Sequence, residues 1–126
     1  MSRSRHRLFS VTAIPARQVC EHRRLSQLIE DIRPSLGLYQ PEPLGGMQVM
    51  LVRRVMGDIA RLISREPGNR ALLRLPDEAE VARAQVAVAL QDGEAALAAF
   101  HRAHSDIDSD VEDGWLVAEN DRRCSG

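Results

Sequence analysis

Residues 47–66 read Met-Gln-Val-Met-Leu-Val-Arg-Arg-Val-Met-Gly-Asp-Ile-Ala-Arg-Leu-Ile-Ser-Arg-Glu, and their periodicity decides the fold. Val49, Val52, Val55, Met56, Ile59, Leu62 and Ile63 recur every three or four positions, which gathers them on one side of a helix. Arg53, Arg54, Asp58, Arg61, Ser64 and Arg65 fall on the other side, and Pro67-Gly68 closes the pattern. The opening Met47–Val52 run after Gly45-Gly46 also suits a short strand, since a brief apolar run does not discriminate.

Upstream, Leu25, Leu28, Ile29 and Ile32 keep helical spacing opposite Arg23, Arg24, Gln27, Glu30 and Asp31, and Pro34 ends that helix. Its start is less defined, because Val19 and Cys20 are out of phase with the stripe. Residues 34–46 hold three prolines and three glycines and predict a loop, with Leu36, Leu38, Tyr39 and Leu44 laying it on the core.

Downstream, Pro76 stands where a first helical residue is often proline, and Asp77, Glu78 and Glu80 complement a helix N-terminus. A third helix is expected to run to about Gln91, with so little polar face in Val86–Leu90 that it is central or at a subunit interface. Asp92-Gly93 predicts a break, and Ala96, Leu97, Phe100 and Ala103 predict a fourth helix ending near His104. The Ala96, Phe100, Ala103 spacing resembles the second helix of a tetratricopeptide repeat. That family repeats about every 34 residues, and the region from Leu62 to Asn69 does not carry the pattern, so only a helical hairpin is retained.

At 126 residues the chain has room for one core. Hydrophobic residues make up 44% and aromatics only 3%, so aliphatic side chains must fill it, which favours closely packed helices. Arginine supplies all 17 basic residues with no lysine, a bias that a GC-rich genome produces without selection for recognition. The net charge of −1 hides a split: residues 1–65 carry 11 Arg against 5 acids, and residues 66–126 carry 6 Arg against 13 acids. Such a dipole can steer charged partners or pair copies head to tail. Cys20 and Cys124 form neither a disulfide framework nor a zinc signature, so a reducing cytoplasm is the default expectation. Arg3, Arg5 and Arg7 before Leu8–Ile14 superficially resemble a targeting segment, but Ser10 and Thr12 interrupt the apolar stretch. No apolar run approaches the roughly 18 residues needed to span a bilayer.

Several groups are candidates for function. Arg54, Asp58, Arg61 and Arg65 lie in one line on the second helix. With Arg3, Arg5 and Arg7, the arginines Arg54, Arg61 and Arg65 could follow a phosphate backbone, against the plainer reading of a solvated face. His101 and His104, at i and i+3, precede Asp106 and Asp108 and could ligate a divalent metal; equally, histidines suit a helix C-terminus through the dipole. A calcium loop counted from Asp106 fails, with Val111 at its sixth position and Val117 at its twelfth. Cys20 and His22, two apart on a helix, do not face each other as a catalytic dyad would. Trp115, Leu116 and Val117 could dock on a partner or on the domain itself. Val81, Ala84 and Val88 are the expected oligomer interface.

The expected architecture is all-α: a small bundle of about four helices with an irregular Pro/Gly-rich loop after the first. Residues 1–14 are expected to be a flexible basic segment, 15–104 a single helical domain, and 105–126 a mobile acidic tail. The expected function is a non-enzymatic, self-associating protein–protein interaction or regulatory module of a GC-rich bacterium or its phage. It would be cytoplasmic, without cofactor and without membrane contact. The alternative is a nucleic-acid-binding regulator using the Arg-rich half, and the third reading is a metal-dependent enzyme.

Overall fold

The computed structural model describes residues 12–68, 71–106, 109 and 112–118. Three helices carry the fold: α1 (Ala16–Ile32), α2 (Gly46–Ile63) and α3 (Arg83–Ala103), with a two-residue antiparallel pair of β1 (Leu44–Gly45) and β2 (Glu80–Val81). The domain is mostly helical, but the expected four-helix bundle is overturned. Among the described residues, no helix is long and apolar enough to cross a membrane.

The periodic stripe of residues 47–66 forms α2 as expected, and the strand alternative for Met47–Val52 is not realised. Val49, Val52, Val55 and Ile59 are all buried, and α2 packs on both α1 and α3. α1 begins immediately after Pro15, and Ala16 and Val19 are buried along with Leu25, Ile29 and Ile32. Val19 therefore belongs to the core. Arg33–Leu36 continues α1 as one 3-10 turn, which ends at Gly37 in the left-handed conformation (φ 53°), a geometry favourable to glycine.

The expected third and fourth helices are one continuous helix. Asp92 does not break α3, because its side chain accepts the Leu73 backbone N–H at 2.8 Å and so ties the preceding segment to the helix. Gly93 does not break it either, because the glycine serves a close approach. A Cβ there would lie 3.0 Å from Ile59 Cδ1 and 3.1 Å from Met56 Sδ, so the absent side chain is what lets α2 pack tightly on α3.

The start of α3 also differs from expectation. Pro76 and Glu78 give their carbonyls to the Arg53 guanidinium, and Glu80–Val81 pairs with Leu44–Gly45. These groups are committed to tertiary contacts before a helix can claim them, so the helix begins at Arg83. In the pair, Leu44 opposes Val81, and both side chains are buried.

The segment after α3 returns to the domain. Ser105 bridges Trp115, and Val117 runs parallel to Ile14, with Ile14 N–H donating to Leu116 O at 3.0 Å and Ala118 N–H to Ile14 O at 2.9 Å. Trp115 is only 2% exposed. Residues 112–118 thus close over the ends of α1 and α3. Cys20 is a disulfide cysteine, and no cysteine among the described residues is free, which departs from the thiol expected of it; Cys124 lies outside the described residues.

Candidate interaction surface

The amphipathic pattern that buries one side of α2 leaves the other without cover. Met47 is 82% exposed and Met50 66%, at i and i+3 in the first turns of the helix, and exposed Arg54 follows at i+7 on the same side. The loop leading into α2 carries Tyr39, which is 91% exposed. That loop is fastened at both ends. Arg83 Nε–H donates to Leu36 O at 2.9 Å and its Nη1–H to Glu42 O at 2.8 Å, while Gln40 N–H closes a turn on Gly37 O at 3.0 Å. Tyr39 is therefore presented to solvent by a braced backbone.

The arginine ridge is interrupted. Asp58, largely buried, accepts both Arg61 and Arg24, the latter at 3.0 Å, and so joins α1 to α2. Arg24 also pairs with Glu21 at 2.7 Å, and that hydrogen bond holds the Glu21 carboxyl below its ordinary range. Arg54 and Arg65 are exposed with no ion pair among the described residues. Arg3, Arg5 and Arg7 lie outside the described residues.

The two candidate metal-binding histidines have separate partners. His101 Nε2–H donates to Asp113 O at 2.7 Å. His104 is buried, with Nε2 donating to Glu66 Oε1 at 2.9 Å and Nδ1 lying 3.1 Å from Thr12 Oγ1 and 2.8 Å from Thr12 O. Asp106 is half-buried and Asp108 lies outside the described residues. Among the described residues no group of three His, Cys, Asp or Glu side chains converges as a metal site.

Of the expected partner-binding segment, Trp115 is taken by the chain's own core, and Leu116 and Val117 are half-buried against the N-terminal segment. Of the expected oligomer interface, Val81 is buried in the β pair, whereas Ala84 and Val88 are exposed on α3, Val88 by 52%.

Sequence reasoning passed over His22 as anything but a neighbour of Cys20. Its Nε2–H donates to Leu97 O at 2.7 Å, and its ring meets Trp115 edge-on at 4.9 Å and stacks on Phe100 at 6.0 Å. His101 also meets the tryptophan edge-on at 4.6 Å and lies 6.2 Å from the His22 ring. Burial pushes the His22 ring below the ordinary imidazole value, against a smaller opposing effect of the Leu97 carbonyl. The signal was available, since His22 is in phase with Leu25, Ile29 and Ile32.

No family model, curated protein or solved structure matches this chain.

Proposed function

We propose that the chain is a non-enzymatic protein–protein interaction module that receives its partner on the N-terminal end of α2 and the loop before it. One observation carries this reading: Tyr39, Met47 and Met50 are exposed at 91%, 82% and 66% in a chain whose other large apolar side chains are largely spent on the core. Met47 and Met50 stand one turn apart on α2, and adjoining apolar exposure of this kind is costly unless a partner covers it. Methionine suits the task, being flexible and polarisable enough to fit an imperfectly matched surface. Arg54 at the edge of the patch adds a site for an acidic group on the partner.

The matching partner is an amphipathic segment with an apolar face and an acid beside it, and a second copy of the chain is one form it could take. Among the described residues, the histidines His22, His101 and His104 make structural contacts within the fold, which favours binding over catalysis. Sedimentation equilibrium and cross-linking in the source cell would compare the wild type with a Tyr39→Ser, Met47→Gln, Met50→Gln variant. The variant is expected to keep its circular dichroism and melting temperature and to lose both self-association and cross-linked partners. A wild type that is monomeric, together with a variant that retains every partner, would overturn the reading. The nucleic-acid alternative retains Arg54 and Arg65 among the described residues, and it predicts binding that weakens steeply with salt.

A further inference from the structure

We propose that the partner received on α2 is a basic amphipathic helix, whose cationic side chains lie against a row of carboxylates from Asp77, Glu78 and Glu80. Its apolar face covers Met47 and Met50, so the assignment depends on the patch proposed above and adds the charge its partner carries. Met47, Met50 and Arg54, at i, i+3 and i+7, form a ridge along α2, and a ridge of that spacing is complemented by the groove of a second helix.

The backbone places the carboxylates beside this ridge. Arg53 follows Met50 by three residues and is its neighbour on the helix surface. The Arg53 guanidinium donates to Pro76 O and, at 2.9 Å, to Glu78 O, which holds that stretch of chain alongside α2. At one end Glu80 is paired with Gly45, just ahead of Met47, and its Cγ lies 3.3 Å from where a Gly45 Cβ would stand. At the other end Asp77 shares a groove with Arg53 and Gly57. The acidic row therefore runs antiparallel to α2, from the level of Gly57 to that of Gly45. All three carboxylates are exposed, and none makes an ion pair among the described residues. An apolar ridge with an anionic border attracts a helix whose apolar face is bordered by cations, and it repels a polyanion. Arg54, two turns past Met47, takes the single acid on such a partner.

Amide NMR titration of the full chain tests this with three helical peptides of about 18 residues, long enough to lie along the whole ridge. They share one leucine-rich face and one glutamate, and differ only in the residues bordering that face: arginine, glutamine or glutamate. The arginine peptide is expected to shift Met47, Met50, Glu78 and Glu80 saturably, and the glutamine peptide to bind about tenfold more weakly, the difference that three solvent-facing ion pairs supply. The glutamate peptide is expected to bind more weakly still. A variant combining Asp77→Asn, Glu78→Gln and Glu80→Gln keeps the carbonyls that Arg53 holds and is expected to reduce the arginine peptide to the affinity of the glutamine peptide. The Tyr39→Ser, Met47→Gln, Met50→Gln variant is expected to lose all three peptides. Equal binding of the arginine and glutamine peptides, or unchanged affinity in the neutralised variant, would overturn the charge assignment and leave the apolar patch standing. An arginine peptide that binds the methionine variant as tightly as the wild type would overturn the patch and this proposal together. No shift with any peptide at about 1 mM, the weak end of specific binding, would also overturn the proposal, and the cross-linking outcome would then decide the patch separately.

Discussion

His22 shows how one side chain can carry a pH response. Its ring is held by Leu97 O and enclosed by Phe100 and Trp115, with Arg23 and His101 opposing its charge and Asp113 favouring it. In the unfolded chain an imidazole takes up a proton near pH 6.5, whereas the folded ring does so at lower pH. Between those two values the unfolded state binds more protons, so stability falls as the pH drops below about 6.5 and is fully present above it. The melting temperature is expected to be flat above neutrality and to decline on mild acidification. His22→Gln retains a donor for Leu97 O and is expected to flatten that decline. A His22 ring that titrates above 6.5 by NMR would contradict the assignment. Glu21, held ionised by Arg24, adds a weaker acid sensitivity at lower pH, because both groups are substantially exposed.

Within the helices, two glycines have opposite roles. Gly57 on α2 has nothing within 4 Å of where a Cβ would stand, whereas on α3 the Gly93 position is met at 3.0 Å by Ile59 Cδ1 and at 3.1 Å by Met56 Sδ. Gly57→Ala is therefore expected to stabilise the protein by about 1 kcal/mol through helix propensity alone. Gly93→Ala makes the same backbone gain but presses on α2, so its net effect is expected to be smaller. Gly93→Leu is expected to destabilise by about 1–3 kcal/mol through overpacking. Chemical denaturation of the three variants checks the order, and equal effects of the two alanine substitutions would mean that Gly93 is not a contact position.

For the whole molecule, the closing contact is the return of residues 112–118 onto Ile14, His22 and the end of α3. Trp115 is the chain's single tryptophan, so its fluorescence reports this closure without labelling. Emission is expected to be blue-shifted and resistant to acrylamide, and red-shifted, readily quenched emission would mean that the segment stands free. Trp115→Ala is expected to cost about 3–5 kcal/mol, as truncation of a fully buried large aromatic does. A chain ending at His104 is expected to lose cooperative unfolding, because Phe100, His22 and Ile14 would all lose their cover.

The sequence by itself determined what depends on neighbours along the chain. The stripe from Val49 to Ile63 makes α2, Leu25–Ile32 makes the C-terminal half of α1, and the prolines and glycines of 34–46 prevent an α-helix there, because 3.6-residue periodicity and backbone stereochemistry are local properties. Only the tertiary structure decided what depends on groups far apart in the chain. Asp92-Gly93 has the local character of a helix break, yet Leu73 satisfies the aspartate and Met56 and Ile59 require the glycine. Pro76–Glu80 has the local character of a helix start, yet Arg53 and Leu44–Gly45 take its backbone first. The candidate surface divides the same way. Met47 and Met50 lie off the buried stripe and their exposure follows from the helix period, whereas the open position of Tyr39 depends on Arg83 bracing its loop from 44 residues away. A free backbone group is worth too much, once buried, to be left to local preference alone; whichever partner satisfies it best in the folded chain determines the conformation.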